Sequence, residues 1–94
     1  MRLSESEQQV IKQSVSVFDK QAKIVLFGSR ANDAARGGDI DLLIISDNIK
    51  QQHLGQIRWK LWEKLGEQKI DIILSKRQLS DTFARIAFEQ GEVL

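Results

Sequence analysis

Residues 39–45 read Asp-Ile-Asp-Leu-Leu-Ile-Ile, two carboxylates leading into an almost unbroken aliphatic run. Ile40, Leu42, Leu43, Ile44 and Ile45 call for apolar cover on both faces, which is the pattern of an interior strand in a sheet layered with helices. Asp39 and Asp41 contradict that environment, because an unpaired carboxylate taken out of water costs several kcal/mol. Being two apart on a strand, they project from the same face with Cα atoms roughly 6.5 Å apart, so one divalent cation resolves the conflict for both.

The rest of the chain supplies the layers. Ser4 followed by Glu7 is a capping box, and Val10, Ile11, Val15, Val17 and Phe18 gather on one side of a helix running to about Lys20. Lys23 to Phe27 is a short strand stopped by Gly28. Ser29 then caps a brief helical turn through Ala34, and Gly37-Gly38 releases the chain into a strand over Asp39 to Ser46. Asp47-Asn48 gives a turn and cap for a helix carrying Leu54, Ile57, Leu61 and Leu65 at spacings of three and four, ended by Gly66 as a left-handed cap. Lys69 to Leu74 is a third strand. Ser75 with Gln78 forms a second capping box, opening a last helix with Leu79, Phe83, Ile86 and Ala87 on its apolar face.

The order α-β-α-β-α-β-α, without proline, repeat or linker, predicts one α/β (α+β) domain over residues 1–94, its mixed three-stranded sheet flanked by about four helices. Strand directions follow if Gly28-Ser29 and the aspartates share a site. Gly28 ends the first strand and the aspartates begin the second, so those two run antiparallel. Asp71, set between Ile70 and Ile72 early in the third strand, joins the site only if that strand is parallel to the second. Three aspartates then converge.

Oxygen ligands of this kind suit Mg²⁺ or Mn²⁺, and Mg²⁺ prefers one or two carboxylates together with phosphate oxygens of a nucleoside triphosphate. Two such ions about 3.5–4 Å apart clamp the attacking and leaving oxygens of an in-line displacement, with the third aspartate orienting or deprotonating the nucleophile. Gly28 lets backbone approach a phosphate, and Ser29 with the amides after it binds the phosphates; Arg30 and Arg36 are candidates to neutralise the remaining charge.

Gly28-Ser29, nine residues, Asp39-Ile40-Asp41 and then Ile70-Asp71-Ile72 resemble the signature of the DNA polymerase beta-like nucleotidyltransferase superfamily, and the brevity of the chain is similar to its minimal nucleotidyltransferase (MNT) branch. The close Arg85-Ile-Ala-Phe-Glu-Gln-Gly-Glu-Val-Leu94 is also similar to that branch, so the likeness spans nearly the whole chain. It departs from the family at Asn32-Asp33, where Arg-Gly is common, and at Gly38, where Ser is common. The resemblance implies the polymerase beta-like fold, phosphate contacts at Gly28 and Ser29, metal ligation by Asp39 and Asp41, and a catalytic triad completed by Asp71. It further implies an antitoxin of the HEPN/MNT toxin-antitoxin type. In such pairs the transferase moves AMP from ATP onto a tyrosine of a HEPN-domain ribonuclease toxin.

Composition narrows the partners. With 14 Lys plus Arg against 13 Asp plus Glu, no general DNA-binding field is expected. The absence of cysteine excludes a disulfide framework and a thiolate metal site, and neither a membrane span nor a signal peptide is legible, so the chain reads as cytoplasmic. Ninety-four residues leave little room for an acceptor site, so the acceptor should arrive on a partner, or the chain should pair with a second copy of itself. Two alternatives stand beside the protein adenylyltransferase: a catalytically inactive antitoxin acting by steric masking, and a small-molecule transferase of the aminoglycoside-modifying type. His53 reads as a solvated surface residue. Trp59 points away from the apolar stripe of its helix, either packed on a neighbouring element or exposed as a protein anchor.

Overall fold

A computed structural model describes residues 3–28, 40–66 and 69–94. Among the described residues the order is α1 (Glu5–Ser16), β1 (Lys23–Phe27), β2 (Ile40–Ile45), α2 (Gln51–Leu65), β3 (Ile70–Ser75), α3 (Thr82–Gln90) and β4 (Glu92–Val93). The sheet runs β3-β2-β1-β4, with β1 antiparallel to β2 and to β4 and β2 parallel to β3. Both directions deduced from the shared-site premise are those observed. The fourth strand is an addition to the expected three. It has two residues, too few for a period, and forms because the chain after α3 folds back beside β1, where the Leu94 amide donates to the Ile24 carbonyl at 2.9 Å. The short helix expected after Ser29 lies outside the described residues.

β2 is the inner strand, and every residue in it except Asp41 is buried. Its five aliphatic side chains contribute roughly 10 kcal/mol of gross transfer free energy, enough to hold a strand that also carries a carboxylate. Alternation splits the core. Ile24, Leu26, Ile40, Leu42, Ile44 and Ile70 meet Ile11 and Val15 of α1 and Leu54, Ile57 and Leu61 of α2, whereas Val25, Leu43 and Ile45 meet Ala84 and Ala87 of α3. The sheet therefore has two helices on one face and α3 on the other.

Local signals settle some helix ends and not others. The Ser4 hydroxyl accepts from the Glu7 amide at 3.2 Å while the Glu7 carboxylate accepts from the Ser4 amide at 2.9 Å, completing the expected box. α1 stops at Ser16 rather than near Lys20, which leaves Val17 exposed instead of in the core. The turn before α2 is organised by buried Ser46, not by Asp47-Asn48: its hydroxyl accepts from the Asn48 and Ile49 amides, both at 3.0 Å, and donates to Asp19 at 2.6 Å. The cap of α2 comes from His53, whose Nδ1 accepts from the Lys50 amide at 2.9 Å. His53 also stacks on Phe18 with centroids 5.0 Å apart, so it is a structural residue rather than a solvated one.

α3 starts at Thr82, not at Ser75-Gln78, because β3 keeps Ser75 and the Asp81 carboxylate supplies the cap, accepting from the Ala84 amide at 2.9 Å. This shift moves the apolar face. Ala84 and Ala87 are buried with Phe88 packed beside them; Leu79 packs there from the preceding turn; Phe83 and Ile86 are turned outward.

Candidate functional site

Phe27, Asp41 and Asp71 form one row across three strands: Phe27 pairs with Asp41 in the antiparallel ladder, and Asp41 pairs with Asp71 in the parallel one. Neighbouring strands lie about 4.8 Å apart, so the two carboxylates leave the sheet side by side. Their face follows from alternation. Phe27, Leu43 and Ile73 all pack into the α3-side core, and Asp41 and Asp71 are two residues from the latter pair, so the row opens on the α3 face of the sheet. Asp41 is half-buried and Asp71 exposed, whereas the next two residues of β2 are fully covered.

Gly28 closes one side of this row. Its φ is +75°, a region that favours glycine, and a Cβ built there would collide with the Asp41 carboxylate at Oδ2, with Cγ at 3.2 Å and Cβ at 3.4 Å. The backbone bend after β1 is therefore in contact with Asp41 by way of a residue that has no side chain. Gly28, Asp41 and Asp71 thus come together. Asp39, Ser29, Arg30 and Arg36 lie outside the described residues.

The donor set is two carboxylates on one face, which is all oxygen and suits a hard divalent cation better than a soft one. Among the described residues no cluster of three or more His, Cys, Asp or Glu forms. Asp39, the other aspartate of the pair, is outside the described residues.

Phe83 is a component that the periodicity of the last helix assigns to the wrong place. Expected in the core, it is 55% exposed, and its ring meets Phe27 edge to face with centroids 6.0 Å apart. A signal is present in Asp81, as good an N-cap as Ser75, and starting the helix there takes Leu79 out of it and leaves Ala84 and Ala87 as the buried face. Trp59 is 61% exposed on the outside of α2, as its position on the wheel implies. No helix among the described residues is long and apolar enough to cross a membrane.

This fold is that of a nucleotidyl-transferring domain. The family model described as Polymerase beta, Nucleotidyltransferase matches residues 7–94, and the chain belongs to that family. No curated protein sequence matches it.

Proposed function

We propose that this chain is a Mg²⁺-dependent nucleotidyltransferase that moves AMP from ATP to a hydroxyl of a partner protein, and that the partner is a HEPN-type ribonuclease toxin which it neutralises. The observation that carries the reading is the side-by-side placement of Asp41 and Asp71 next to the glycine bend, in a chain of the nucleotidyltransferase family. In this reading Asp39, Asp41 and Asp71 hold Mg²⁺, or Mn²⁺ in its place. The bound ion supplies charge neutralisation at phosphate oxygens.

The chain's own groups do the rest. Gly28 admits the triphosphate close to the backbone, Ser29 and the amides following it hold phosphate oxygens, and Arg30 and Arg36 balance charge. The acceptor oxygen bonds to the α-phosphorus as the bond to the α–β bridging oxygen breaks, and pyrophosphate leaves with that electron pair. Asp71, more exposed than Asp41, takes the hydroxyl proton. Most of the rate comes from positioning and charge stabilisation.

The test is transfer of label from α-³²P-ATP in the presence of Mg²⁺ to the protein encoded next to this chain, which should carry an Arg-x₄-His motif. Wild type should label it, and Asp41→Ala and Asp71→Ala should not. Equal labelling by wild type and both variants would sink the catalytic reading. One observation favours a second reading, an aspartate-independent masking subunit: Trp59 presents a large aromatic surface away from the carboxylates. In that case Asp41→Ala would still neutralise the toxin and Trp59→Ala would not.

A further inference from the structure

Phe83 is an exposed aromatic ring whose edge-to-face partner, Phe27, shares a cross-strand row with the two carboxylates. It lies in the first turn of α3, beyond the buried pair Ala84 and Ala87, and its described ring partner is Phe27. Phe27 is in turn the direct cross-strand neighbour of Asp41. Directly opposed residues in an antiparallel pair have Cβ atoms about 4.5–5.5 Å apart, so the aromatic pair begins one residue's width from the carboxylate. The interplanar angle of 78° sets the two rings edge to face, leaving Phe83 with more than half its surface open.

We propose that Phe83, braced by Phe27, is the platform on which the planar base of the nucleoside triphosphate stacks; this rests on the reading of Asp41 and Asp71 as the triphosphate-metal site. Three observations favour a base over other occupants. Phe27 and the two aspartates share one row on one face, so a molecule anchored by its phosphates at the aspartates extends over the aromatic pair within a few ångströms. The ring is held by another ring rather than free to swing, which reduces the entropy lost on stacking. Among the described residues its ring partner is Phe27, and exposed Ile86 lies three residues on along the same helix, so stacking is the recognition these side chains offer, and stacking tolerates any base. The consequence is affinity for the nucleotide without strong choice among bases at this position.

Inorganic tripolyphosphate keeps the phosphates and removes the base, and so separates the two halves of the site. Calorimetric titration of the full chain in Mn²⁺ should show Phe83→Ala weakening ATP binding about tenfold or more with tripolyphosphate affinity unchanged, Phe83→Trp retaining ATP affinity, and Asp71→Asn weakening both ligands. GTP should follow ATP in every variant. Melting curves check that Phe83→Ala stays folded, as an exposed position allows; Phe83→Leu, of similar bulk without a π face, should weaken ATP as Ala does. Equal affinities of wild type and Phe83→Ala for ATP would overturn the platform while leaving the metal site standing. Equal loss of both ligands in Phe83→Ala would overturn it as well, by making Phe83 a support for the carboxylates. Failure of wild type to bind either ligand would overturn both readings. Unchanged ATP affinity alongside loss of a protein complex would assign Phe83 and Ile86 to a protein partner instead.

Discussion

Asp41 and Asp71 are register partners on adjacent parallel strands, carboxylate beside carboxylate at the open end of the α3 face. Like charges placed directly across a ladder repel, so their mutual term is a cost in the free protein that a cation between them would offset. A pair kept for stability would behave in the opposite way.

Asp71→Asn separates these cases. Without metal, its unfolding free energy in urea should equal or exceed that of wild type by a few tenths of a kcal/mol. With Mn²⁺ at about a hundred times its dissociation constant, wild type should gain about 2.7 kcal/mol, and the variant should gain far less. EDTA should return wild type to its metal-free value. An equal Mn²⁺ gain in both proteins would remove Asp71 from the metal site.

Gly28 tests the contact from the other side. Gly28→Ala places a methyl group against the Asp41 carboxylate and forces a side chain into a backbone conformation with φ +75°. The backbone term alone costs about 1–2 kcal/mol. Because the methyl also displaces Asp41, Mn²⁺ affinity should fall together with stability. Calorimetric Mn²⁺ titration of the folded variant at low temperature reads the second effect separately; wild-type affinity there would mean that Gly28 serves the turn alone.

Much of the fold is legible because β2 has a composition that only an inner strand satisfies, and because the premise that Gly28 and the aspartates share a site fixes two strand directions at once. What escapes the sequence has physical causes. β4 is held by backbone pairing to β1 and by the close approach of Gly91, where a Cβ would lie 2.6 Å from the Leu26 carbonyl oxygen, and neither leaves a side-chain pattern. The start of α3 is ambiguous because Ser75 and Asp81 are both good caps, and the choice between them belongs to the sheet: β3 pairs through Ser75 with Ile45. The misplacement of Phe83 follows from that ambiguity. For the candidate site, Asp41, Asp71 and Gly28 are legible as exceptions to their surroundings, whereas the role of Phe27 depends on cross-strand register, which no local pattern encodes.

His53 joins two elements that its sequence neighbourhood of glutamines conceals. The ring accepts the Lys50 amide at the start of α2 and stacks on Phe18 from the segment after α1. His53→Ala should cost about 0.5–2 kcal/mol from the cap, with a further increment from the lost ring contact. His53→Gln, which retains an acceptor but no ring, should fall between. Chemical denaturation of the three proteins gives the ranking, and a His53→Ala variant as stable as wild type would show that neither contact matters.

Asp19 ties the loop before β1 to the turn after β2, and its ionisation is coupled to folding. The Ser46 hydroxyl bond, chiefly, then the Gln21 amide, which donates at 2.9 Å, hold its carboxyl below the usual aspartate range. A carboxyl whose folded-state value lies below its unfolded one stabilises the protein above the unfolded value, near pH ~3.9, and loses that contribution as pH falls through the folded value. At pH 7, then, Asp19→Asn should be less stable than wild type, and the gap should narrow steadily on acidification below about pH 4. Ser46→Ala should show the same narrowing, since it removes the main cause of the shift, and it should carry in addition a pH-independent loss from the Asn48 and Ile49 amides it strands. Urea unfolding of the three proteins from about pH 7 to about pH 3 measures both components. A difference between wild type and the Asp19→Asn variant that stays constant across that range would show that the Asp19 charge is not what links the two loops.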